Sequence, residues 1–87
     1  MEIRCSKSWF QKNLKKIMGV MNYNGREFGE LIGVTRQAVG TWVRGEHEMP
    51  NYIFMAYKYA FEKLELDNNT YILLLTIFDL EKVQEEA

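Results

Sequence analysis

The stretch Asn24–Gly45, NGREFGELIGVTRQAVGTWVRG, decides the fold, and it reads as two short helices joined by a tight turn. Asn24 suits a helix start because its side-chain oxygen accepts from an otherwise orphaned backbone N–H. Glu27, three residues on, can reach back and close a capping box. Tyr23 and Phe28 stand where a hydrophobic staple fixes the entering chain. Phe28, Leu31 and Ile32 form an apolar face at helical spacing. Gly29 lies inside that helix at a cost of about 1 kcal/mol relative to Ala, and a close crossing by the second helix would account for it. Gly33 ends the helix as a left-handed residue. The second helix starts at Thr35, again a capping type, with Val34 and Val39 as its staple. Val39 and Trp42 point inward, Arg36, Gln37, Gly40 and Thr41 occupy the opposite side, and Gly45 follows Arg44 as the terminating glycine.

Outward from this pair, residues 8 to about 20 predict one further helix, capped by Ser8, with Phe10, Leu14, Ile17, Met18 and Met21 as its apolar stripe. Lys12, Lys15 and Lys16 lie outside the stripe and are either a solvated face or phosphate contacts. After the pair, a helix runs from Pro50 or Asn51 to Leu64, since Pro is tolerated in a first turn. Ile53, Ala56, Tyr57, Ala60, Phe61 and Leu64 make its inward stripe. Tyr52, Met55 and Tyr59 make a second one, expected to pack on the last helix or on a partner. Leu66–Asn69 is a turn. Thr70 to Glu85 predicts the last helix, with a strand at Tyr71 to Phe78 as the alternative; the Glu81–Glu85 pattern favours helix. Its first three turns are apolar nearly all round. A helix of that kind must be covered all round, so one side is expected to be a dimer interface built from Tyr71, Leu74, Leu75, Phe78 and Leu80.

The chain of 87 residues, 47% hydrophobic and 26% charged, has the balance of one folded soluble domain spanning 1–87. A core of this size gains from dimerisation. One Cys and one His exclude an intrachain disulfide and a zinc finger. The N-terminal lysines are not followed by an apolar segment, so no signal peptide is expected, and Tyr71–Leu80 is too short to span a bilayer. A cytoplasmic location is the expectation. Net charge is −1, yet the halves differ. Residues 1–45 hold eight Lys/Arg against three Asp/Glu, and residues 46–87 hold three against nine. Such a split suggests one face for a polyanion and a solvated acidic end.

With these residues in place, the segment resembles the Cro and lambda-repressor-like (XRE-type) helix-turn-helix family. The match runs without a gap through Glu27, Leu31, Ile32, Gly33, Val34, Thr35, Arg36, Gln37, Val39, Trp42, Arg44 and Gly45. A looser likeness covers residues 8 to 66. The chain departs from the family pattern at Gly25, where Gln is common, and at Glu46-His47-Glu48, where the loop is commonly basic. The resemblance implies an all-α bundle of about five helices, with the helix-turn-helix at 24–45 and a dimerisation helix at 70–86.

A helix fits the major groove of B-DNA, where donor and acceptor patterns distinguish the base pairs. Gln37 can pair bidentately with adenine, and Arg36 with guanine or a phosphate. Thr41 can meet a base or a thymine methyl, and Gly40 leaves room for close approach. The resemblance assigns these four to base reading, and Asn24, Arg26, Thr35, Arg44 and Tyr52 to the DNA backbone. One such helix reads roughly four base pairs, so two-fold symmetric half-sites about 34 Å apart are expected. The expected function is a homodimeric transcriptional regulator, a repressor or autorepressor of a phage or mobile-element operon. An antitoxin-like DNA-binding protein with a second protein partner, and a pure protein-interaction module, remain open. No nucleophile–base pair, metal-ligand set or Gly-rich phosphate loop is visible, so neither enzyme activity nor a cofactor is expected.

Overall fold

The computed structural model describes the backbone of residues 1–86 and the side chains of residues 1–78. All regular structure among the described residues is helical: α1 (Lys7–Lys12), α2 (Leu14–Met21), α3 (Gly25–Glu30), α4 (Arg36–Val43), α5 (Asn51–Lys63) and α6 (Asn68–Glu86). The Tyr71–Phe78 run is helix, not strand. No helix among the described residues is long and apolar enough to cross a membrane.

The single helix expected from residue 8 onward is two, so six helices stand where about five were expected. Asn13 makes the break. Its backbone N–H and its Nδ2 both donate to the Trp9 carbonyl, at 3.1 and 3.0 Å. Its backbone leaves helical geometry, at φ −104° and ψ 14°, and its side chain gives the Trp9 carbonyl a second donor beside the regular one. The cap of α1 is Ser6 rather than Ser8; its Oγ accepts from Trp9 N at 3.2 Å.

The ends of α2, α3 and α4 share one physical device. Asn22, Gly33 and Gly45 have φ of 60°, 78° and 73°. The residue after each donates back five positions: Tyr23 N to Met18 O, Val34 N to Gly29 O and Glu46 N to Thr41 O, at 3.0, 2.9 and 3.0 Å. These are the 6→1 bonds of Schellman ends, which satisfy carbonyls that the helix itself leaves open. The chain therefore reverses sharply three times within 24 residues, from Asn22 to Gly45.

The core is aromatic at its centre. Phe10, Phe28, Tyr57 and Phe61 are fully buried. Phe28 and Tyr57 stack at 4.4 Å and 19°, and Phe10 meets Tyr57 and Phe61 at 5.8 and 6.1 Å. Such ring pairs contribute about 0.5–1.5 kcal/mol each beyond their buried area. Tyr57 donates its hydroxyl to the Phe28 carbonyl at 3.2 Å, which ties α5 to the short α3. Ile3 and Cys5 of the non-helical N-terminal arm and Met49 of the loop after α4 are also buried in this core.

α6 packs on α2, and its Phe78 ring meets Trp9 of α1 at 6.1 Å. This corrects two expectations. Leu74 and Phe78, expected at a dimer interface, are 0% and 8% exposed and belong to the core of the single chain. The apolar face left exposed on α6 is Tyr71, Ile72, Leu73 and Leu75. A helix apolar all round conceals which side faces in, and the inner side proves to be Leu74, Ile77 and Phe78. The side chain of Leu80 lies outside the described residues. The second stripe of α5, expected to pack on the last helix or on a partner, stands exposed among the described residues: Tyr52, Met55 and Tyr59 are 74%, 59% and 62% exposed.

Candidate nucleic-acid interface

The capping chemistry read from Asn24–Gly45 is present atom by atom. Asn24 Oδ1 accepts from Glu27 N at 2.8 Å, and Asn24 N donates to Glu27 Oε1 at 3.1 Å, a complete capping box. Thr35 Oγ1 accepts from Ala38 N at 3.1 Å and starts α4. Gly29 is where α3 meets the entry to α4. An added Cβ there would lie 2.5 Å from the Val34 carbonyl oxygen and 3.4 Å from that of Thr35. The close approach is thus made by the backbone leading into α4, not by the body of that helix.

Val39 and Trp42 anchor α4 inward, leaving Arg36, Gln37 and Arg44 exposed and Gly40 and Thr41 half-buried. Arg36, Gln37, Gly40 and Arg44 border one open groove of about 500 Å³, together with Gly25 of α3 and Lys15 of α2. Among the described residues its side walls carry three cations, Lys15, Arg36 and Arg44, and no acid. Gly25 has a specific part here. A Cβ at position 25 would lie 3.2 Å from Arg36 Cγ, so the glycine makes room for the Arg36 stem to lean across the start of α3.

The remaining site residues are placed differently. Thr41 donates its hydroxyl to the Ala38 carbonyl at 2.7 Å, which leaves only its oxygen lone pair and methyl for another partner. The space over Gly40 is not empty: Arg44 Nη1 lies 2.8 Å from where a Cβ of residue 40 would stand. Arg44 also holds Glu46, with Nε to Oε1 at 2.7 Å and Nη2 to Oε2 at 3.4 Å. This contact raises the Arg44 pKa and lowers that of Glu46, in each case first through the hydrogen bond and then through the opposite charge. Arg26 pairs with Glu30 at 3.1 Å. Asn24 borders a separate hollow with Met18, Asn22 and Glu27. Tyr52, on α5, is 74% exposed and does not border the α4 groove.

One residue had no signal in sequence periodicity. Gln11 of α1 donates Nε2 to the carbonyls of Trp42 (3.1 Å) and His47 (2.7 Å) and accepts at Oε1 from Met49 N (2.8 Å). Its amide thereby holds the end of α4 and the loop that follows. Only a neutral amide has both the donors and the acceptor for this set. In the same loop, Glu48 is bound by Lys7 at 3.1 Å. The two acids of the loop, Glu46 and Glu48, thus each face a cation of this chain.

No protein-family model, curated protein or solved structure matches this chain. Among the described residues no cluster of His, Cys, Asp or Glu is arranged to hold a metal ion.

Proposed function

We propose that the chain is a sequence-specific double-stranded DNA-binding protein of helix-turn-helix type that acts as a dimeric transcriptional repressor. α3 and α4 form the motif, and α4 enters the major groove. The observation that carries this reading is the cationic groove beside α4, bordered by Arg36 and Gln37 of that helix and by Lys15 and Arg44. Arg36 and Gln37 offer bidentate donor and acceptor sets for guanine and adenine. Arg44 and the Thr35 hydroxyl, at the two ends of α4, take phosphates. The Arg44–Glu46 pair is exposed, and exposed ion pairs contribute little to stability. Its exchange for an Arg44–phosphate contact is therefore readily reversible. The exposed apolar face of α6, Tyr71, Ile72, Leu73 and Leu75, joins two copies across a two-fold axis.

The experiment is selection of random duplexes by the purified protein, followed by titration of the winners. A palindromic consensus is expected, and Arg36→Ala with Gln37→Ala should bring its affinity to within a few-fold of random duplex. Retention of no duplex, or unchanged discrimination in the double variant, would refute the reading.

A second reading is favoured by a separate surface. Tyr59, Ala56 and Ala60 of α5, with Leu31, Ile32 and Leu64, border an apolar groove of about 410 Å³. A protein partner seated there, as in an antitoxin, would be compatible with DNA binding through α4, and co-purification of a stoichiometric partner would support it.

A further inference from the structure

A second groove lies on the other side of the C-terminal end of α4. It has a volume of about 430 Å³ and is bordered by Gln11 and Lys12 of α1, by Val43 and Arg44, and by Glu48. Val43 and Arg44 border both this groove and the one that holds Lys15. The end of α4 is therefore a ridge with a lysine on either side of it. This arrangement follows from the break at Asn13, which lies between Lys12, the last residue of α1, and Lys15, in the first turn of α2. Lys16, the next residue on α2, is also exposed but borders neither groove.

From this geometry we infer that the two grooves form one phosphate-binding track, in which Lys12 and Lys15 grip the sugar-phosphate backbone of a DNA duplex on either side of the Arg44 ridge. The inference rests on the DNA-binding reading above and extends its surface from α4 onto α1 and α2. Charge is the first argument. Among the described residues, Lys12, Lys15, Arg36 and Arg44 border the two grooves, and the single acid of their lining, Glu48, is paired with Lys7 at 3.1 Å. The lining also favours a duplex over a single strand. Proteins that hold unpaired bases stack them on exposed aromatic rings. The only aromatic residue bordering either groove is Trp42, which is 7% exposed and belongs to the core. Lysine, a flexible point charge, suits a backbone phosphate and carries no base preference.

The test measures binding of the full chain to its selected duplex, to a random duplex and to a single strand of equal length, over a range of salt. Lys12→Gln and Lys15→Gln are compared with Lys16→Gln, which removes the same charge from the neighbouring position. Lys12→Gln and Lys15→Gln should each weaken both duplexes several-fold and by the same factor. Each should also reduce the slope of log affinity against log salt by about 0.9, one released counterion per lost contact. Lys16→Gln should leave affinity and slope close to those of the unaltered chain. If all three variants behave alike, whether unaffected or equally weakened, the track is overturned while the role of α4 stands. Equal retention of the single strand with the same lysine dependence overturns the duplex as occupant. Failure of the unaltered chain to retain any duplex overturns the broader reading as well.

Discussion

Two kinds of residue set the local energetics, and each predicts a measurable response. Tyr57 is fully buried, and its hydroxyl supplies the Phe28 carbonyl near the end of α3, where no helical N–H is available. Tyr57→Phe keeps the stacked ring and leaves that carbonyl without its donor, which should cost about 1–3 kcal/mol by urea denaturation. Burial also pushes the phenol upward in pKa. A raised folded-state value means that this group's contribution is full below the ordinary phenol range near 10 and is lost as pH rises beyond it. A spectroscopic titration should therefore show Tyr57 remaining protonated until the chain unfolds in alkali. The glycines give a paired test. Gly29→Ala places a methyl 2.5 Å from the Val34 carbonyl oxygen and forces backbone apart, so a clear fall in melting temperature is expected. Gly19, exposed within α2, has nothing within 4 Å of an added Cβ. Gly19→Ala should raise stability by about 0.5–1 kcal/mol.

The elements differ in how openly the sequence announces them. α3 and α4 were legible because their signals are local: Asn24 with Glu27, Thr35, Gly33 and Gly45 act within five residues of themselves. The break at Asn13 was hidden because the apolar stripe Phe10, Leu14, Ile17 keeps its period straight through it, while the departure from helical backbone is confined to the one residue Asn13. The arm residues Ile3 and Cys5 are buried without any periodicity to reveal them. At the candidate site, Arg36, Gln37, Gly40 and Arg44 were identifiable from the face of α4; Lys15 is set apart from Lys16 only by the contact of α2 with α4, and Gln11 enters through contacts between separate elements. Gln11 reaches 31 to 38 positions along the chain, a distance no pattern rule covers. Its expected effect belongs to the loop it holds. Gln11→Leu removes the partners of two carbonyls and one N–H, so amide exchange at Met49 and proteolytic cleavage within 46–50 should accelerate. Unchanged protection at Met49 would show that the loop is held by other means.

For the whole molecule, the question is what covers the apolar side of α6. Ile72 and Leu75 are exposed in the single chain, so Ile72→Glu with Leu75→Glu should leave the helical circular-dichroism signal intact. It should halve the mass seen by light scattering. Phe78→Glu places a charge in the core and should unfold the chain instead. A monodisperse monomer of the unaltered chain at micromolar concentration would remove α6 as an interface. The segregation of charge has a consequence of its own. The cationic residues around α4 belong to a half of the sequence carrying +5, and the half that follows carries −6, so the −1 total conceals the cationic groove. An adsorbent senses the side that approaches it, not the average. Passed over sulfated beads at neutral pH and low ionic strength, this nominally acidic molecule should adhere through the side that carries Lys15 and Arg36.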